Sequence, residues 1–222
     1  MNSLHTVVFY TYINSLTWED VELMTKNYCA SEITKVFSLK IIKDRIATVI
    51  GRALLYYMLK TLNIQSSIKN TRIELTDEGR PYIKNTKYDF NISHSLDAVA
   101  CGIIHNGKIG IDIEAIHDIN IEEYRSILTD AEYSILNKHK KQNDEFIKLW
   151  TTKESVLKAD GRGFYADIKK LSILNQAALL ENKMWYNNLY NIDEHYYLSV
   201  STNEIVEPFI SEIDVFKLLD NS

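Results

Sequence analysis

The sequence predicts an α+β fold, on three observations. Apolar positions from Asp44 to about Leu62 (Ile46, Val49, Ile50, Ala53, Leu54, Tyr57) recur with the spacing of one helix face. Runs rich in β-branched and aromatic residues, Thr6–Tyr12 the clearest, read as strands. The two kinds of segment are mixed without the regular alternation of a parallel βαβ sheet. A chain of 222 residues can form one large domain or two small halves on a shared core.

Thr6–Tyr12 is expected as the first strand. The helix follows, with Asp44 a plausible N-cap. Arg72–Leu75 and Val99–Ile104 are expected strands, with turn chemistry from Asp77 to Pro81 between them. Asn106-Gly107 stands between VACGII and KIGIDI and predicts a two-residue hairpin, since both residues tolerate positive φ. Thr129 and Glu132 have capping-box spacing, and Leu128 and Tyr133 are placed as a hydrophobic staple, so a helix starts there. Another helix runs from about Asp144 to Ala159 and ends at Gly161, where glycine can take the left-handed cap. Tyr196–Ser201 returns to strand. With only 7 Gly and 2 Pro there is no linker-like stretch, which predicts a compact unit.

Composition excludes several classes. A formal net charge of -5 argues against a general nucleic-acid binder. No apolar run of about 18 residues predicts a membrane span, and the first ten residues lack the pattern of a secretory signal. Cys29 and Cys101 have no CxxC spacing and are too few for a disulfide framework, which points to a reducing, cytoplasmic setting.

The chemistry concentrates in three places. In Lys108–Glu114 (KIGIDIE), alternation puts Asp112 and Glu114 on one strand face and Ile109, Ile111 and Ile113 on the other. Two adjacent carboxylates suit a hard divalent cation, and oxygen-only ligands favour Mg²⁺ over Zn²⁺. Taken alone, such a D-x-E is more often a solvated acidic face. On the helix FIKLWTTKESVLK, Trp150, Glu154 and Lys158 recur every four residues and share a face. That stripe is either an exposed Glu–Lys pair beside a packing Trp or a third carboxylate and a base for the same site. His94 lies between Ser93 and Ser95, whose hydroxyls suit phosphate oxygens. Gly79-Arg80-Pro81 is a rigid turn bearing one guanidinium. Lys40, Lys43 and Arg45 stand near the start of the first long helix, either to meet an anion or as solvent-facing charges.

In order and rough spacing, Gly79-Arg80-Pro81, Asn91–Ser95 (NISHS), Gly110–Glu114 (GIDIE) and Trp150–Lys158 (WTTKESVLK) resemble the motifs of Sfp-type 4′-phosphopantetheinyl transferases. The resemblance is firm from about Ile73 to Gly163. It implies two similar α+β halves related by a pseudo-two-fold axis, here residues 1–106 and 107–222, with the active site in the cleft between them. It implies transfer of the 4′-phosphopantetheine of coenzyme A to a serine of an apo acyl or peptidyl carrier protein, leaving adenosine 3′,5′-bisphosphate. Mg²⁺ would be held by Asp112, Glu114 and Glu154. His94 and Lys158 would touch the phosphates, and Arg80, Pro81 and Ser93 would help bind the nucleotide end. Lys40 and Lys43 are candidates for the 3′-phosphate, although the family more often has Lys where Arg80 stands. Glu154 and Lys158 would be catalytic. The chain length fits the monomeric type, and Tyr124, Ile127, Leu128 and Tyr133 are candidate carrier contacts or core residues. An Mg²⁺-dependent phosphohydrolase acting on a nucleotide or coenzyme A is the alternative enzyme, and a non-catalytic binding module is a third reading.

Overall fold

The computed structural model describes residues 6–28, 30–64 and 73–219. Its elements are β1 (Thr6–Tyr12), α1 (Trp18–Val21), α2 (Ala30–Ser38), α3 (Ile42–Thr61), β2 (Ile73–Leu75), β3 (Pro81–Ile83), β4 (Tyr88–Ser95), β5 (Ala98–His105) and β6 (Ile109–Ala115). Then come α4 (Asp130–Leu136), α5 (Gln142–Asp160), β7 (Leu171–Leu174), β8 (Ala177–Leu180), β9 (Lys183–Asn191), β10 (Tyr196–Thr202), β11 (Phe209–Glu212) and α6 (Val215–Leu219). The architecture is the α+β mixture expected. The first sheet has the order β11-β1-β5-β4, the second β6-β10-β9-β8-β7, and β2 and β3 form a separate ribbon.

Alternation along the strands assigns every sheet face. Val7, Phe9, Val99, Cys101 and Ile103 share a core with the buried side of α3, led by Ile50, Leu54 and Leu55. Their neighbours Val8, Ala98, Ala100 and Ile104 turn the other way and meet Ile109, Ile111, Ile113, Leu198 and Val200 of the second sheet. The two sheets therefore pack face to face, with α3 outside the first and α5 against the second. Gly102 permits this approach, since a Cβ there would lie 2.9 Å from Ile109 and 3.1 Å from Ile111.

The predicted hairpin at Asn106-Gly107 is not one. Asn106 does take positive φ, at 58°, but β5 and β6 do not pair. Both edges of β5 are already taken, by β1 and β4, so no backbone groups remain for a third partner. The turn instead passes the chain from one sheet to the one facing it, where β6 pairs with β10. Asp44 is likewise not the cap of α3; Ile41 holds that position in extended conformation, and Asp44 sits in the first turn, where an acid faces the positive end of the helix dipole. Arg72 lies outside the described residues, and the strand there begins at Ile73.

Local signals elsewhere are met. Thr129 and Glu132 form the capping box of α4, and α5 ends at Gly161 with φ 83°. The last described elements pack back on the first sheet. β11 lies parallel to β1, and Val215 and Leu218 of α6 enter the α3 core, so the end of the chain returns to the first half.

Candidate active site

The end strand of the second sheet, β6, has one edge paired with β10 and the other turned towards β4. That edge is satisfied by side chains. Asp89 accepts the Ile109 N–H (2.9 Å), Asn91 the Ile111 N–H (2.9 Å), Ser93 the Ile113 N–H (3.3 Å) and Ser95 the Ala115 N–H (3.3 Å). Four alternate residues of β4 thus stand in for a missing strand, which satisfies backbone donors that would be costly to bury unpaired. The segment holding NISHS is part of an eight-residue strand that docks the two sheets.

Above this junction α5 lies directly on β6. A Cβ on Gly110 would stand 2.1 Å from the Ser155 carbonyl oxygen and 2.2 Å from the Ala159 nitrogen, so the glycine sets how closely the helix approaches. The stripe Trp150, Glu154, Lys158 then faces the carboxylates of β6. Lys158 Nζ lies 2.6 Å from Asp112 Oδ1 and 3.0 Å from Ser93 Oγ, and Trp150 Nε1 donates to Glu114 Oε1 at 3.2 Å. Glu154 is half-buried, midway along the stripe. The expectation of two carboxylates on one face of β6, with the isoleucines buried on the other, holds.

The electrostatics are those of charge taken out of water. Burial pushes the Asp112 carboxyl up to about 6; Lys158 opposes that and the Glu114 charge adds to it. Burial also raises Glu154, with Lys158 opposing and Asp112 reinforcing. His94, on the α3 side of β4, is lowered by lost hydration; Asp44 opposes and Lys158 reinforces. Asp112 Oδ2 is buried with no hydrogen-bond donor. An orphaned carboxylate oxygen, with Glu114 on the same strand and Glu154 on α5 as further oxygen donors, suits a hard cation in its chemistry. Among the described residues, though, no three His, Cys, Asp or Glu side chains stand grouped closely enough to hold a metal. Within the chain, the charge answering Asp112 is the Lys158 ammonium.

Two family models match the chain in succession. One, described as the N-terminal part of a 4′-phosphopantetheinyl transferase, covers residues 17–103; the other, the 4′-phosphopantetheinyl transferase superfamily, covers 108–206. The 4′-phosphopantetheinyl transferase gsp of Aneurinibacillus migulanus is 36% identical over 60% of this chain and 55% of its own length. The transferase ffp of Bacillus subtilis is 32% identical over 59% of each. These alignments span little more than half of either relative. The transferase Sfp of Bacillus subtilis strain 168 is 30% identical over 71% of this chain and 74% of its own. The chain belongs to the 4′-phosphopantetheinyl transferase family.

Membership of this transferase family does not by itself say what each motif residue touches. Arg80 is placed inside the protein: its guanidinium is bidentate to Asp89 (3.2 and 2.8 Å) and donates to the Ile109 carbonyl at 2.6 Å. The guanidinium is thus held by a buried partner on β4. Pro81 opens β3 opposite Leu75. The one proton of Ser93 goes to Asp112 at 2.9 Å, not outward to a phosphate. Lys43 pairs with Asp97 at 2.7 Å, and Lys40 is exposed just before α3.

Three contributors were not assigned from the sequence. Ser95 donates to Glu114 Oε2 at 2.7 Å. Asn91 is a rung of the ladder. Lys153, 1% exposed, reaches Glu132 at 2.7 Å and so ties the α4 capping box to α5. The usable signal for Ser95 was the match of S-x-S on one strand to D-x-E on another. Of the candidate carrier contacts, Leu128 is core, whereas Tyr124, Ile127 and Tyr133 are half-buried around it. A hollow of about 590 Å³ beside Tyr82 and Lys108 is lined in part by Arg80 and Asp89, and one of about 610 Å³ lies beside His117 and Lys141.

Proposed function

We propose that this protein transfers the 4′-phosphopantetheine group of coenzyme A to a serine of an apo acyl or peptidyl carrier protein, with Mg²⁺, releasing adenosine 3′,5′-bisphosphate. The observation that carries the reading is the facing of Glu154 and Lys158 on α5 towards Asp112 and Glu114 on β6. We place the reaction in the cleft between halves 1–106 and 107–222, related by a pseudo-two-fold axis, with the final segment returned to the first. A cytoplasmic monomer acting on soluble carriers is part of the same proposal. Among the described residues, no helix is long and apolar enough to cross a membrane.

The serine oxygen bonds to the β-phosphorus of coenzyme A as the bond from that phosphorus to the bridging oxygen breaks. Glu154 takes the serine proton, as a positioned carboxylate can. Lys158 turns its ammonium to the departing bisphosphate, and His94 donates to the same phosphates. Asp112, Glu114 and Glu154 would hold Mg²⁺, which supplies charge neutralisation at the pyrophosphate. Lys40 and Lys43 are assigned to the 3′-phosphate, with Lys43 exchanging Asp97 for it. Arg80, Pro81 and Ser93 shape the nucleotide end through the backbone they hold.

The test is intact-mass measurement of a panel of apo-carrier domains incubated with the protein, coenzyme A and Mg²⁺. A gain of one phosphopantetheinyl group, lost with EDTA and with Glu154→Gln, supports the proposal. Hydrolysis of coenzyme A without any carrier would replace it with a phosphohydrolase. Tight coenzyme A binding with no product from either reaction would replace it with a binding module.

A further inference from the structure

The four rungs between β4 and β6 are not chemically alike. Asp89 and Asn91 end the Ile109 and Ile111 N–H groups with acceptor oxygens. Ser93 and Ser95 accept the next two N–H groups through hydroxyls, and a hydroxyl also has a proton to give. The change from acceptor to hydroxyl falls where the β6 side chains change from Gly110 to Asp112 and Glu114. Ser93 gives its proton to Asp112, and Ser95 gives its own to Glu114 Oε2 at 2.7 Å.

We infer that Ser95 is a positioning residue that orients the Glu114 carboxylate towards a divalent cation. The inference rests on the proposed metal-dependent reading. The Ala115 N–H fixes the acceptor side of the Ser95 oxygen at 3.3 Å, so its proton is aimed at Glu114. Trp150 Nε1 holds the other oxygen at 3.2 Å. Donors at both ends pin the carboxylate plane, and each oxygen keeps a lone pair free. Hydrogen bonds to an ionised acceptor are the strong class, and partners of metal-binding carboxylates generally change metal affinity about 10–100-fold when removed.

A structural rung and a positioning rung are separable, because Asn91 is the first without being the second. The experiment is a Mn²⁺ titration of the full chain, followed by the EPR signal of free Mn²⁺, with thermal melts of each variant in EDTA. Ser95→Ala should bind Mn²⁺ about tenfold or more weakly, and Ser95→Thr, which keeps a hydroxyl, should restore binding. Asn91→Ala should lower the melting temperature and leave Mn²⁺ affinity within about twofold, against the 10–100-fold expected for a positioning partner. Wild-type-like binding by Ser95→Ala would overturn the role of Ser95 while leaving the metal reading in place. Equal losses in Ser95→Ala and Asn91→Ala would also overturn it, reducing Ser95 to a rung. A wild-type chain that binds no Mn²⁺ would overturn both the role and the metal reading.

Discussion

The two long helices solve the same packing problem in opposite ways. α3, 20 residues long, lays Ile46, Val49, Ile50, Leu54 and Leu55 on the first sheet in one continuous apolar core. α5, 19 residues long, has apolar clusters only towards its ends, around Phe146 and around Val156 and Ala159. Between them it buries Thr151, Thr152, Lys153 and Ser155, and beneath it lie Asp112, Ser199, Ser201 and Asn187. Apolar packing is non-directional and tolerant, whereas a buried polar seam is favourable only when each group meets its partner. The first helix makes the fold stable. The second holds charge in place over the strand where chemistry is proposed.

The largest expected effect separates the two seams by function. Glu154→Gln should lower carrier modification by about 10²–10⁴-fold, the usual range for losing a positioned base. The melting temperature should scarcely move, because Glu154 is half-buried and packs in no core cluster. A melt shifted as much as the activity would mean that the stripe on α5 serves the fold.

The next prediction compares two glycines at helix–sheet contacts, Gly110 on β6 and Gly51 on α3. Gly110→Ala puts a methyl group 2.1–2.2 Å from backbone atoms of α5, which cannot step aside without moving the helix. A loss of about 3 kcal/mol is expected, at the upper end for overpacking, together with loss of activity. Gly51→Ala meets the Cγ2 methyl of Ile92 at 2.7 Å, a side-chain atom rather than backbone, so a smaller loss, about 1–2 kcal/mol, is expected. Urea melts measure both. Equal costs would mean that the α5 seam gives as readily as the α3 core.

A third test uses pH. With its pKa raised from 3.8 to about 6, folded Asp112 keeps a proton that the unfolded chain has released between those values. The metal-free protein should therefore lose stability from this group as pH rises through that window, by up to about 3 kcal/mol. Asp112→Asn cannot titrate. Its stability relative to wild type, measured by urea melts in EDTA, should rise from pH 4 to pH 7. A difference that stays flat would mean that Lys158 and Ser93 compensate Asp112 fully.

What the sequence disclosed, and what it hid, follows the range of each interaction. The Thr129 capping box, the Gly161 cap and the alternating faces of β6 involve residues within a few positions of one another, and all are as read. Asn106-Gly107 correctly marks a reversal, but turn chemistry cannot say that β5 has no free edge. The partners of Arg80 and Ser95 lie on strands whose juxtaposition depends on the docking of two sheets. Asp89 beside Arg80 and Glu114 beside Ser95 become visible only in the fold. The return of β11 and α6 to the first sheet has no local signature, only an apolar pattern that any face could accept. The motif residues were legible as a set; which of them partner one another inside the fold was not.

The smallest predicted effect tests whether the polar seam is a network or a collection of pairs. Asn187 Nδ2 lies 2.7 Å from Ser199 Oγ and 2.8 Å from Ser201 Oγ, and these lie 2.8 and 2.7 Å from Ser155 Oγ. Ser155 in turn donates to the Thr152 carbonyl at 2.8 Å. One assignment satisfies every proton: the amide donates to both serines, both serines donate to Ser155, and Ser155 donates to the helix. Removing the last hydroxyl with Ser155→Ala strands two buried O–H donors, so about 1–3 kcal/mol should be lost. Removing Ser199 alone leaves one proton of the amide with the longer contact to Ser155 Oγ at 3.2 Å, so a smaller loss, about 1 kcal/mol, is expected. Urea melts of Ser155→Ala and Ser199→Ala decide the matter. If the two cost the same, the protons do not run in one direction towards α5, and the helix is held over Asp112 by Gly110 and its apolar ends.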